Sequence, residues 1–505
     1  MKYGFLFGAG AEIAYNLPSG GCFALEIFRQ NISELKQEFK NMRDNVDSST
    51  AYASQWLPQD YLKKNISTFG KTVFQNIIMS TVEHRRDQII KKINDFDKIS
   101  VEVITKMKAD GLDVDNAFEE LLDRDVLNIR FSQNIAYNEN FIEGNKLFES
   151  NYFSALLTVY RDREDVYKQS LRRILLSIMQ LQLGALSEKL SQNINDNLFS
   201  KKDERIDIFD DFGELITLNY SLAGVSGLEY LLENQKVATD TSYGIILCFA
   251  QSLIENIYSS VLDYKALIDS NWHYLYSPSS DWAKFCKVAI FLLGVHRYIT
   301  NLGDDADKSN EKGYYNMLRK CLDESKYQVS AIATTNYNKI IEEILGNDYP
   351  VIYLNGSVSV WYDPYLNKVG TKSELDSSEH HIIVPLLFTQ SGTKPMTSIS
   401  MAEKYVKMYY EWRDSDAIVV VGFGFGNDDE HINGILRTLV NDDGKELVIV
   451  TLNHDKKPDV EAREVAKNLK ITDYKKIKML LVDYEGKIGD KTWTECLNSP
   501  ETLKL

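Results

Sequence analysis

Residues 3–21 read YGFLFGAGAEIAYNLPSGG, and the fold turns on how that stretch is parsed. Tyr3-Gly4-Phe5-Leu6-Phe7 is a short apolar run, and Gly8 and Gly10 follow it directly, with Gly20 and Gly21 a little further on. A strand, a glycine turn and then a helix is the unit that opens an α/β sheet and aims backbone N–H groups at a phosphate. Glycine suits the turn because a Cβ would hold the phosphate away. Here the pattern is G-A-G-A-E rather than G-x-G-x-x-G, so by itself it equally describes a tight connection between strand and helix.

One strand needs partners, and the rest of the chain supplies them late. None of the nine prolines lies between Pro58 and Pro278. Proline breaks helix interiors, so a gap of that length argues for a helical region. Phe153, Leu156, Leu157 and Tyr160 recur at helical spacing, as do Leu171, Ile174, Leu175 and Ile178. The texture changes near Tyr327. Stretches 328–335, 351–354, 381–388, 416–423, 446–452 and 477–482 read as strands, with helices at 402–412 and 430–440. Apolar strands alternating with helices mean a buried parallel sheet. The expected fold is α/β: a doubly wound, mostly parallel Rossmann-like sheet with a large all-helical insertion. Residues 1–30 and 325–505 would form the discontinuous sheet domain, and 31–324 the insertion.

Composition narrows the function. A formal net charge of −16 argues against a broad nucleic-acid-binding surface. The five cysteines form no CxxC pair, so no sequence-local zinc site and no metal are expected, and their odd count suits a reducing cytoplasm. No apolar window approaches the roughly 18 residues of a membrane span, so a cytoplasmic chain without a membrane segment is expected.

Three more segments sit just after expected strands: Thr334-Thr335-Asn336-Tyr337-Asn338, Tyr353-Leu354-Asn355-Gly356-Ser357, and Val421-Gly422-Phe423-Gly424-Phe425-Gly426-Asn427. Ligands of open α/β sheets bind beyond the carboxyl ends of strands. All four segments therefore point to one crevice.

The ordered set GAGAE…LPSG, TTNYN, YLNGS and VGFGFGND resembles the sirtuin-type NAD-binding domain, above all the NAD-hydrolysing members of bacterial anti-phage defence. Phe425 to Asn433, FGNDDEHIN, resembles the matching segment of members paired with a HerA-type ATPase. The resemblance spans residues 1–30 and 327–485. It implies NAD+ as substrate, cleaved to nicotinamide and ADP-ribose by an abortive-infection effector. Gly8, Ala9 and Gly10 would line the pyrophosphate, with Glu12, Pro18, Thr335 and Gly424 in the same cofactor pocket. Asn336 would be the catalytic asparagine, Gly422 and Phe423 would lie along the cofactor, and Asn453 would approach the adenosine. A homo-oligomer, with an ATPase or a phage protein as activator, is the implied assembly.

The chain departs from that pattern in places. Asn355 stands where the family has a catalytic histidine, and an amide cannot take a proton at neutral pH. Asn338 replaces an aspartate, and Glu12 a serine or threonine. General-base help is worth roughly 10²–10⁴-fold, so its loss slows hydrolysis rather than abolishing it. His431 and Glu12 are the other candidate bases by chain position. The cysteine zinc module of protein-deacylating sirtuins is absent, which argues against deacylation. The alternative reading is a catalytically weak or inactive NAD or ADP-ribose sensor or scaffold. Structural readings stand beside these: Asn336 as the cap of a helix starting near Lys339, Asn355-Gly356 as a plain turn, and His431 as an ordinary surface helix residue.

Overall fold

The structure is a computed structural model. It describes all residues except 18–24, 71–74, 77, 80–81, 83–84, 110, 130–144, 194–204, 208–216, 220–222, 234–235, 262–270, 377–378, 388–397, 427–428, 454–456 and 498–505. The chain divides into two compact units. One comprises Met1–Ser19, Gln30–Thr68 and Lys265–Leu505; the other comprises Gly20–Arg29 and Phe69–Tyr264. Residues 30–68 and 265–324 therefore group with the sheet.

The first unit is built on six parallel strands: β1 (Lys2–Phe7), β2 (Gln328–Thr334), β3 (Val351–Tyr353), β4 (Ala417–Val421), β5 (Glu446–Leu452) and β6 (Ile477–Val482). Their order is β3-β2-β1-β4-β5-β6. This is the doubly wound order, in which the winding reverses between β1 and β4. A Rossmann-like α/β sheet is thus present, and the N-terminal run lies at its centre.

Alternation along each strand assigns the helices to two faces. Tyr3, Phe5 and Phe7 of β1 join Val419 and Val421 of β4 on one face. There they pack with Tyr315 and Leu318 of α2 (Tyr314–Asp323) and Ile340 and Ile341 of α3 (Ile340–Leu345). A longer helix, α1 (Pro278–Asp305), precedes α2. Leu6, Ile418 and Val420 face the other way. They meet Met408 and Trp412 of α4 (Ile399–Arg413), Leu436 of α5 (Glu430–Asn441) and Ala466 of α6 (Pro458–Leu469). Both faces are covered, which is why the strands read as unbroken apolar runs.

One expected strand belongs elsewhere. Val384–Leu387 pairs antiparallel with Gly356–Asp363, which also pairs with Lys368–Gly370, in a separate three-stranded sheet. Val384–Leu387 is an edge of that sheet, a position that tolerates Pro385.

The second unit is mostly helical. Its helices include Asn151–Asp162 and Lys168–Asn193, and the residues at helical spacing, Phe153, Leu156, Leu171, Ile174 and Ile178 among them, are buried. It is not all-helical: Arg205–Asp207 and Thr217–Asn219 form a two-stranded antiparallel ribbon. Three-residue strands of mixed polarity leave no periodic trace in a sequence.

Candidate active site

The site forms because the strands end level. Phe7, Thr334, Tyr353 and Val421 lie side by side in register. The residues after them, Gly8, Thr335, Leu354 and Gly422, make one rim at the carboxyl edge. Backbone hydrogen bonds stitch it together: Thr335 N to Phe7 O at 3.0 Å, and Leu354 N to Thr334 O at 2.9 Å. Gly8 N donates to Val421 O and Gly10 N to Gly422 O, both at 2.9 Å. The four motifs of the sequence do converge.

The glycines are explained by contact between two backbones. Gly422 has φ +63°, and a Cβ there would lie 2.3 Å from Ala11 N. A Cβ on Gly8 would sit 2.6 Å from Gly422 O. The amides of Gly8 and Gly10, expected to face a pyrophosphate, are therefore given to protein carbonyls. Ala9 between them is exposed. The turn leads into a 3-10 helix over Ala9–Tyr15 rather than an α-helix. That tighter winding points Glu12 inward, where it is buried.

Glu12 is the centre of a polar network. Its Oε2 accepts from Asn338 Nδ2 at 2.6 Å, and its Oε1 from the Tyr315 hydroxyl at 3.0 Å. The Tyr315 oxygen accepts in turn from Asn336 Nδ2 at 3.2 Å, and Asn336 Nδ2 also donates to Gly8 O at 3.0 Å. Tyr315 is locked in place, its ring stacked on Tyr15 at 5.3 Å and edge-on to Phe7 at 5.1 Å. Burial pushes the Glu12 carboxyl up to about 7, against the opposing pull of its hydrogen bonds from Asn338, Tyr315 and Asn336. Burial also raises the Tyr315 hydroxyl well above its ordinary value, with the Glu12 charge adding to the effect.

Asn336 is not the helix cap. Asn338 Oδ1 accepts from Ile340 N at 3.1 Å at the start of α3, while the Asn336 amide turns to Gly8 and Tyr315. Asn355 is also buried, but within a different group. Tyr405 of α4 donates to Leu354 O at 2.8 Å and lies 3.5 Å from Asn355 Oδ1. His431, in the first turn of α5, meets the Tyr405 ring edge-on at 5.5 Å. His431 is half-buried rather than an exposed surface residue. Tyr405 thus links Asn355 and His431, while Tyr315 links Glu12 and Asn336. Gly356 has a strict structural duty beside this: at φ +88°, a Cβ would fall 2.0 Å from Leu386 O.

The remaining expected residues are spread along the rim. Thr335 is buried beside Phe7 O. Phe423 is half-buried and packs edge-on to Phe425 at 5.3 Å, and Gly424 is exposed with open space around it. Asn453 is exposed just beyond β5, its backbone N–H donating to Val482 O at 2.9 Å. Pro18 lies outside the described residues.

A cavity of about 200 Å³ opens beside Asn338, lined also by His296, Thr300, Asp304, Lys339 and Glu343. This is below the roughly 300–1,000 Å³ of typical ligand pockets. Burial holds His296 below its ordinary value, and its Nε2 donates to Val358 O at 2.8 Å. Tyr315, Tyr405 and His296 were not singled out by motif. Their positions depend on helices from distant parts of the chain, and of those helices only the one that carries Tyr405, at 402–412, was read from the sequence. Among the described residues, no group of three or more His, Cys, Asp or Glu side chains could hold a metal ion, and no helix is long and apolar enough to cross a membrane.

No family model, curated protein or solved structure matches this chain. The functional reading therefore stands on the ordered motifs and on the geometry of the rim.

Proposed function

We propose that the rim binds NAD+ and cleaves its nicotinamide–ribose bond, releasing nicotinamide and ADP-ribose. The observation that carries this reading is the setting of Asn336. It is buried at the end of β2, beside the crossover between β1 and β4, with its Nδ2 turned to Gly8 O and to the Tyr315–Glu12 pair. Its carbonyl oxygen is left as the acceptor for a ribose hydroxyl or a water molecule. Such cleavage passes through an oxocarbenium-like state, as glycoside cleavage does. Nicotinamide leaves without a proton because its ring nitrogen is already cationic. The chain's task is then to hold the sugar, support developing positive charge and admit water. Ionised Glu12 supplies negative charge close to Asn336. With the Gly8 and Gly10 amides already donated, the pyrophosphate would depend on other rim groups, and the exposed Ala9 and Gly424 leave room for it.

A second reading is favoured by Asn355. Where a base is expected, a buried amide sits against Tyr405 and cannot take a proton. On that reading the rim holds NAD+ or ADP-ribose as a sensor or scaffold. The resemblance adds a cytoplasmic role in anti-phage defence, self-association and an ATPase or phage-protein activator, all part of the proposal.

An etheno-NAD+ fluorescence assay with the purified chain separates the readings. Cleavage should be measurable and fall at least about 100-fold in Asn336→Ala. Saturable binding without cleavage would establish the sensor. Neither binding nor cleavage would overturn both.

A further inference from the structure

The Tyr315 hydroxyl carries a single hydrogen. A carboxylate can only accept, so ionised Glu12 takes that hydrogen at 3.0 Å. The Tyr315 oxygen is thereby obliged to accept, and it accepts from Asn336 Nδ2 at 3.2 Å. The Gly8 carbonyl, also accept-only, takes the second Nδ2 hydrogen at 3.0 Å. Two fixed acceptors thus determine which way the Asn336 amide faces. We propose that Glu12, acting both directly and through Tyr315, is a positioning residue that sets the plane of the Asn336 amide and turns its carbonyl oxygen toward the rim.

The chain of donors has one direction only while Glu12 is ionised. A protonated Glu12 gains a hydrogen of its own and can donate it to the Tyr315 oxygen. The Tyr315 hydrogen then no longer has to point at Glu12, and the Asn336 amide loses its second fixed acceptor. Among the described residues, the groups facing Glu12 are few. Tyr315 comes from α2, Asn336 and Asn338 from the turn after β2, Tyr15 from its own segment, and Tyr353 from β3 with Glu342 of α3 behind it. No cation is among them. The switch therefore lies with Glu12, which titrates at about 7.

That the oriented carbonyl meets a ribose rests on the proposed function; the orientation itself does not, and the experiment reads the two separately. In the nucleotide-free full chain, the Asn336 side-chain amide resonances are assigned by their loss in Asn336→Ala and followed from pH 5 to 9. The wild type should show one titration near neutrality, which disappears in Glu12→Gln. In Tyr315→Phe, which keeps the ring stacked on Tyr15, it should shrink but persist, because Asn336 also meets Glu12 directly. Resonances that titrate identically in all three proteins overturn the positioning role.

The second arm is the pH profile of etheno-NAD+ cleavage. Turnover should rise with pH through about 7 in the wild type, and Glu12→Gln should lose that limb. Tyr315→Phe should lower kcat about tenfold with KM little changed. A Tyr315→Phe profile matching the wild type overturns the proposal for catalysis. If the amide resonances respond as expected while no nucleotide is bound or cleaved, the positioning stands and the NAD+ reading falls.

Discussion

At the scale of single residues, Glu12 stores a measurable cost. Its carboxyl is raised from an ordinary 4.5 to about 7, chiefly by burial. The native state then holds a proton between those values that the unfolded chain has released. Stability from this group is complete below about 4.5 and is lost as pH rises through about 7. The span corresponds to about 3 kcal/mol. Glu12→Gln cannot ionise, so it should gain on the wild type by up to about 3 kcal/mol between pH 5 and pH 8. Urea unfolding monitored through buried Trp412 and Trp493 checks this, because all other carboxylates cancel in the difference. A fixed cost will sit beneath the pH effect. The new amide would face Asn338 Nδ2, and Asn338 cannot turn over without giving up its bond to Ile340 N. A wild-type–variant gap that ignores pH would show that Glu12 does not titrate in this way.

At the scale of elements, the two glycine turns act as one interlocked part. Gly422→Ala must hold φ +63° and place a Cβ 2.3 Å from Ala11 N, so the β1 and β4 turns have to separate. The expected loss is about 2–4 kcal/mol, read as a lowered urea midpoint, with nucleotide binding falling as well. Gly424→Ala meets nothing within 4 Å and should leave the unfolding free energy within about 0.5 kcal/mol of wild type. Equal effects at the two positions would refute the interlock. This contact also marks what the sequence could express. Apolar, β-branched runs gave away β2, β4, β5 and β6, and the glycines gave away the turns. Why the glycines are there was not readable, since the backbone that crowds Gly8 comes from residue 422. Stretch 381–388 looked like one more strand of the sheet, because an apolar run carries no label for its partner. Pro385 was the one local hint of an edge. Glu12 read as a loop residue beside a phosphate. Its burial follows from the 3-10 winding and from Tyr315, whose helix lies about three hundred positions away in the chain.

At the scale of the whole molecule, the sheet cannot stand on the motif-bearing segments alone. Tyr315, Leu318, Cys321 and Leu322 of α2 belong to the same buried cluster as Phe5, Phe7 and Val419. Removing residues 31–324 would strip α2 from that face and expose the aromatic side of β1 to water. Each large side chain uncovered costs roughly 1.5–3 kcal/mol, and several together exceed the net stability of most domains. A chain of 1–30 joined to 325–505 should therefore be a loose state, with far-UV dichroism but little near-UV signal and strong dye binding. A chain keeping 1–68 and 265–505 across a flexible linker retains every segment of the sheet unit, together with 20–29, which belongs to the other unit. Closing such a loop costs only slowly more with length. This longer form should unfold cooperatively with native near-UV dichroism. If instead the shorter chain is the one that folds, α2 is dispensable, and Tyr315 cannot be the fixed link between Glu12 and Asn336.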